Sequence, residues 1–488
     1  MSCRTLAPLW RCARLVGIGL LVAVSQPLRA QPLPAEFEAA LQRAKLPRES
    51  VAVLLVDAAG SAPPRLSHRA DVPLNPASVM KLVTTYAALD TLGPAFTWTT
   101  PVFVEGAVRD GTLHGNLSIL GQGDPKLVVE RLWLLLRRVQ GLGVRRIAGD
   151  IVLDRSAFEV VAQDPADFDG EPLRPYNAAP DALLFNFKSV VMTFVPDLAA
   201  NTAQVSFEPP LAGVQMQSSV ALSHGACNDY RANLKADFGD ATRIGFGGAY
   251  PAACGERTWA VAYADPKSYG ARAVEALWRE MGGKLTGTVR EGRVNAPGGV
   301  LPRPAFELGS PSLAEVIRDI NKYSNNVMAQ QLFLTLSLPQ RADGQATPQG
   351  VATQQASREF VQRWWQARIG GDDAPILDNG SGLSRHERIS ANALARLLQV
   401  AYRSPQMPEL MASLPITGVD GTLRRARAKA AGSAHLKSGS LRDVTALAGY
   451  VHARSGKRYV LVAVVNHPQA NAARPAMDAL IDWATKDN

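Results

Sequence analysis

The strongest constraint on this chain is an interruption. A β-branched run at residues 51–56 reads as a strand, and Val79, Leu82, Val83, Tyr86 and Ala87 form one apolar helical stripe over residues 77–92. Gly93-Pro94 stops that helix. Between about 98 and 300 the texture changes to short β-prone runs divided by turns such as Arg109-Asp110-Gly111-Thr112 and Gly247-Gly248, with one clear helix at 269–281. Helices return at 312–336 (with a short break), 353–369, 390–402 and 472–483. Two alternating runs, 445–453 and 457–465, flank Arg454-Ser455-Gly456 and predict an antiparallel hairpin. The simplest architecture is a discontinuous α/β domain, 31–97 plus 301–488, carrying a β-rich insertion at 98–300.

A leader precedes this plan. Arg4, Arg11 and Arg14 are followed by an apolar run at 15–24, a break at Ser25-Gln26-Pro27, and Ala30 before Gln31. Residues 1–30 therefore predict a secretory signal peptide, since ten apolar residues are too short for a hydrocarbon core of ~30 Å. The net charge of +9 becomes +5 once Arg4, Arg11, Arg14 and Arg29 leave with it, which gives no case for a nucleic-acid partner. Two cysteines remain, Cys227 and Cys254. A disulfide between them is expected in an oxidising compartment, with two separate buried thiols as the alternative.

Three short motifs carry chemistry. Ser78-Val79-Met80-Lys81 sits at a predicted helix start, where one turn brings Lys81 beside Ser78 on the face opposite the apolar stripe. The pair can act as nucleophile and base only if the amine is neutral, which requires burial or a second cation nearby. Ser324-Asn325-Asn326 offers a hydroxyl and a carboxamide in helical sequence, although the same residues serve equally as a helix cap. Lys437-Ser438-Gly439-Ser440 opens the run into the hairpin, where a cation, hydroxyls and a glycine suit a carboxylate at a strand edge.

In that order, S-x-x-K, S-x-N and K-[ST]-G resemble the signature of penicillin-binding proteins and serine β-lactamases. Ser324 stands 246 residues after Ser78, which is similar to the D-alanyl-D-alanine carboxypeptidase/endopeptidase family of penicillin-binding protein 4 type (peptidase family S13). Leu74-Asn75-Pro76-Ala77-Ser78, Gly121-Gln122-Gly123-Asp124-Pro125, the run from Asp378 to Arg385, and Asp420-Gly421-Thr422-Leu423 extend the likeness along nearly the whole mature chain. The resemblance implies a transpeptidase-like α/β (α+β) fold, an antiparallel sheet flanked by helices, with two nested β-rich domains inserted. It implies a serine carboxypeptidase or endopeptidase acting on peptidoglycan stem peptides in the periplasm, acylated by β-lactams, with no cofactor and no metal. Ser78 would be the nucleophile, Lys81 its base, Ser324 the proton relay and Asn326 the orienting amide. Lys437, Ser438, Gly439 and Ser440 would hold the peptide's carboxylate and, with the N–H of Ser78, its oxyanion. Cys227 and Cys254 fall where some members carry a cysteine pair.

The departures are specific. Asn325 replaces the usual Asp, and Ser438 the usual Thr, each keeping the group the chemistry uses. Arg442 stands where some relatives have glutamine, Arg385 is the candidate for a diamino-acid carboxylate, and Asp169 or Glu171 would have to grip its amine. Two other readings compete: a serine β-lactamase, which would want a Glu-x-x-Leu-Asn absent between Asn326 and Lys437, and an inactive peptidoglycan-binding scaffold. The seven histidines include no H-E-x-x-H, no G-x-S-x-G occurs, and membrane association is expected to be peripheral at most.

Overall fold

A computed structural model describes residues 32–159, 163–338 and 350–487. The expected signal peptide lies outside the described residues. Among these, no helix is long and apolar enough to cross a membrane.

One five-stranded sheet joins the two ends of the chain. Its order is Ala434–Leu441, Val444–His452, Arg458–Asn466, Val51–Asp57, Leu66–His68, with every neighbouring pair antiparallel. Both faces are covered, so its central strands are apolar throughout rather than alternating with polar residues. Val51, Val53 and Leu55 point with Leu461, Ala463 and Val465 into a core shared with helices Ala35–Arg43 and Arg474–Ala484. Leu54 and Val56 point the other way with Val460, Val462 and Val464, onto the helical layer that holds Lys81–Leu92, Leu313–Tyr323, Asn326–Thr335, Gln354–Arg368 and Ala391–Tyr402.

Helix Lys81–Leu92 lies inside that layer and is buried through its first nine residues. The one-sided stripe expected from sequence is therefore not a boundary with solvent. The opposite face carries Lys81 and Thr84 against the 378–382 loop, and Thr84 donates to the carbonyl of Gly380 at 2.6 Å.

The insertion leaves and re-enters this body side by side: Thr99 pairs with Gly309 at the start of an antiparallel ladder. Hairpin Thr99–Arg109 and Thr112–Leu120 turns on Asp110 and Gly111, both at positive φ, the conformation a tight two-residue hairpin turn demands. A seven-stranded sheet grows from it, and a second, five-stranded sheet spanning Ser189–Asp197 to Arg257–Ala262 lies within it in sequence. The two share one core. Cys227 and Cys254 form a disulfide there, closing a separation of 27 residues.

One element contradicts the sequence reading of a single clear helix in this block. Val129–Gly141 is a 13-residue helix, with Leu132, Leu135, Leu136 and Val139 buried at helical spacing. Exposed Trp133 and Leu134 break up that stripe in the sequence and make the run look β-prone.

Candidate active site

The site begins with a strained turn. Ala77 sits at φ 47, in the left-handed region that penalises a side chain. Asn75 holds it there: its Oδ1 accepts from the Ala77 N–H at 2.9 Å, and its Nδ2 donates to Ser384 O at 2.9 Å. Asn466, at the end of a sheet strand, completes the clamp by accepting from the Asn75 N–H at 2.8 Å and donating to its carbonyl at 2.9 Å. The chain then runs through a single 3-10 turn, Ala77–Met80, into helix Lys81–Leu92. That turn places Lys81 Nζ 2.9 Å from Ser78 Oγ.

Lys81 has no solvent exposure. Its Nζ also donates to Asn326 Oδ1 at 2.5 Å and to the carbonyl of Ser381. Both of those oxygens can only accept. A neutral amine has two N–H bonds and one lone pair, so the lone pair is left for the Ser78 hydroxyl. Burial, and then the ammonium of Lys437, push the Lys81 pKa well below the usual lysine value, while the Glu387 carboxylate pulls the other way. The hydrogen bonds are compatible with a neutral amine, and burial and the Lys437 charge favour it.

The second wall comes from a break between helices. Helix Leu313–Tyr323 ends on Ser324 at φ 57, and Asn325 caps the next helix by accepting from the Met328 N–H at 3.0 Å. An asparagine oxygen caps a helix as well as an aspartate does, which accounts for the residue between Ser324 and Asn326. The corner aims Ser324 Oγ at Lys437 Nζ, 2.9 Å away, while Asn326 reaches Lys81.

The third wall is edge strand Ala434–Leu441. Lys437 is fully buried, donates to Ser324 Oγ and to Ser438 O at 2.8 Å, and has its pKa lowered to about 7 by burial. Ser438 Oγ lies 2.6 Å from Thr422 Oγ1. Gly439 crosses the nucleophile turn so closely that a Cβ there would stand 2.4 Å from Pro76 O and 3.2 Å from Ser78 N. Gly382, at φ +79, meets the same turn from the loop side, where a Cβ would be 2.0 Å from Ala77 O. Ser78 is thus pinned between two glycines.

A cleft of about 1020 Å³ opens over these groups, lined by Ser78, Ser324, Asn326 and Ser440, with Arg385 and Asp169 farther along. Lys81 and Lys437 lie beneath its floor. Arg385 stacks on Phe168 at 4.6 Å and pairs with Asp443 at 3.0 Å. Asp169 lines the cleft and accepts from Tyr176 and Asn177, whereas Glu171 faces Arg174 outside it. Arg442 also borders the cleft. The structure thus gathers Ser78, Lys81, Ser324, Asn326, Lys437, Ser438, Gly439 and Ser440 in one place, with Arg385 at the rim and Cys227–Cys254 in the insertion. Sequence reasoning gave no role to Ser381, whose backbone oxygen serves Lys81, nor to Thr422, and did not mark Glu387. A carbonyl leaves no residue-type signal, and Glu387 stands in a polar run, Arg385-His386-Glu387-Arg388, that reads as exposed loop.

Comparison with known proteins places this geometry. The model of the D-Ala-D-Ala carboxypeptidase 3 (S13) family matches residues 33–487. The D-alanyl-D-alanine carboxypeptidase of Actinomadura sp. strain R39 is 29% identical over 488 residues, covering 96% of this chain and 87% of the relative. D-alanyl-D-alanine carboxypeptidase DacB of Haemophilus influenzae is 25% identical, with 80% of each covered. Penicillin binding protein 4 of Haemophilus influenzae has the same fold, with TM-score 0.69, 22% identity, and 92% of this chain and 99% of that one covered. A second structure of that protein is a complex with a β-lactam.

Proposed function

The chain belongs to the D-Ala-D-Ala carboxypeptidase 3 (S13) family, and from that premise we propose that its cleft cleaves the terminal D-Ala-D-Ala bond of peptidoglycan stem peptides through an acyl-enzyme on Ser78. The observation that carries this reading is the placement of a fully buried Lys81 amine 2.9 Å from the Ser78 hydroxyl at the floor of the cleft.

The proton on Ser78 Oγ passes to Lys81 Nζ as the oxygen attacks the carbonyl carbon of the penultimate D-Ala. The backbone N–H groups of Ser78 and Ser440 receive the oxyanion; removing one donor from such a site costs about 10²- to 10³-fold in rate. The C–N bond breaks as the proton held by Lys81 passes through Ser324 to the departing amine of the last D-Ala, which leaves Lys81 neutral again. Water then attacks the ester while giving a proton to Lys81, and Lys81 passes that proton to Ser78 Oγ as the ester bond breaks and the shortened peptide leaves. Lys437 and Ser438 hold the terminal carboxylate, and Arg385 and Asp169 stand where a longer side chain on the preceding residue would reach.

A β-lactam offers the same kind of carbonyl, and the β-lactam complex of the Haemophilus influenzae protein supports binding here. We place the enzyme in the periplasm, which agrees with the leader-like residues 1–30 and the disulfide. Residues 31–97 with 301–488 form the catalytic unit in this reading, and 98–300 is an insertion of two nested β-rich parts. Trimming of free stems and cutting of cross-links use one acyl-enzyme and differ only in the leaving amine.

The test is incubation with a labelled penicillin followed by intact-mass analysis. One adduct is expected on the wild type and none on Ser78→Ala. A wild type that never acylates overturns the proposal in favour of a scaffold, and rapid turnover of the drug would make the protein a β-lactamase. With purified muropeptides, free D-Ala marks carboxypeptidase action and monomers from dimers mark endopeptidase action.

A further inference from the structure

The loop that reaches Lys81 is held from behind by a group with no part in the steps above. Glu387 is fully buried. Its Oε1 accepts the backbone N–H groups of Asp378 and Asn379 at 3.2 Å each and of Gly380 at 2.9 Å. Its Oε2 is buried with no hydrogen-bond partner among the described residues. On the loop's other side, helix Lys81–Leu92 supplies two donors, Thr84 to Gly380 O and Lys81 to Ser381 O. The loop is therefore clamped between one carboxylate and one helix face. Three amides converging on one oxygen favour a negative charge there, whereas burial disfavours it.

We propose that Glu387 is a positioning residue for Lys81: through the 378–382 loop it holds the Ser381 carbonyl against the Lys81 amine, and its charge steadies that amine when it carries the Ser78 proton. The proposal rests on the Ser78–Lys81 reading and adds a member to it. Other charged groups face this pair. Lys437 bears on Lys81 from strand Ala434–Leu441, and Asp378 bears on Glu387 from the loop. Asp378 is itself held by Ser384 and lies 3.9 Å from Arg358 of helix Gln354–Arg368. Burial raises the Glu387 pKa to about 7, against the pull of the loop amides and Lys81. Lys81 and Glu387 act on each other's protonation through their charges.

A base that must be neutral gives an acylation rate that rises with pH through its own pKa. Removing a nearby negative charge lowers that pKa. In Glu387→Gln, which keeps an oxygen for the loop amides, the midpoint of the acidic limb of penicillin acylation is expected to fall by about one pH unit, with a plateau lower by about tenfold because the base is weaker. Thr84→Val removes the loop's other anchor and no charge; its plateau should fall while the midpoint stays. Thermal unfolding confirms that each variant is folded, and Thr84→Val carries the test if the Gln variant is not. An unmoved midpoint in Glu387→Gln, or an equal shift in Thr84→Val, overturns the proposal. A wild type that fails to acylate at any pH overturns the reading of Ser78 instead.

Discussion

Two lysines lie beneath the cleft floor without solvent contact, and their surroundings differ. Lys81 faces two obligate acceptors, a serine hydroxyl and, through a loop, a buried carboxylate. Lys437 faces the Ser324 hydroxyl and the Ser438 carbonyl, and burial alone sets its pKa, at about 7. The contrast shows how one residue type can serve two purposes. The amine with a neighbouring cation is pushed toward its neutral form, whereas the one beneath the edge strand, beside Ser324 and Ser438, can carry charge below pH 7.

The largest test of that contrast is Lys81→Ala. Loss of the general base should slow acylation by about 10³-fold or more at every pH, read by the rate of labelled-penicillin incorporation. Lys437→Gln should cost about 10²-fold in kcat/KM for D-Ala-terminated peptides, the worth of a hydrogen bond to a charged group. It should also change the profile's shape. In the wild type, activity toward carboxylate-bearing peptides should decline as pH rises through about 7, where Lys437 gives up its proton; the variant should lose that decline. Its acidic limb should move to higher pH, because Lys81 no longer has a cation beside it. This shift is opposite in sign to that expected for Glu387→Gln, and equal signs would show that charge does not govern Lys81.

Gly439→Ala sharpens the comparison by geometry alone. The new Cβ would stand 2.4 Å from Pro76 O, so the strand carrying Lys437 must move off the turn carrying Ser78. Acylation should fall by about tenfold or more, with stability lower by about 1–3 kcal/mol in calorimetry. The smallest effect is expected from Asn325→Ala. Loss of its bond to the Met328 N–H should cost about 1 kcal/mol of stability, and Asn325→Asp should restore it.

Much of the catalytic body was legible because its signals are local. The strand at Val51–Asp57, the helix beginning near Ser78 and the final hairpin follow from β-branched runs, apolar spacing and turn residues. The helix Val129–Gly141 was obscured by exposed Trp133 and Leu134. What covers the polar face of Lys81–Leu92 was not legible, because burial against a loop 300 residues away leaves no periodic trace.

The sequence by itself determined which groups are available: a serine with a lysine one turn on, a serine and an asparagine at a helix break, and a lysine and glycine on a late strand. Their types and local spacing are properties of neighbouring residues. Only the tertiary structure decided that both lysines lie without water, that Ser381 presents a carbonyl rather than its hydroxyl to Lys81, and that Glu387 stands behind that loop. Protonation depends on desolvation and on charges brought near by folding, and neither is set by the residues next to a lysine in the chain.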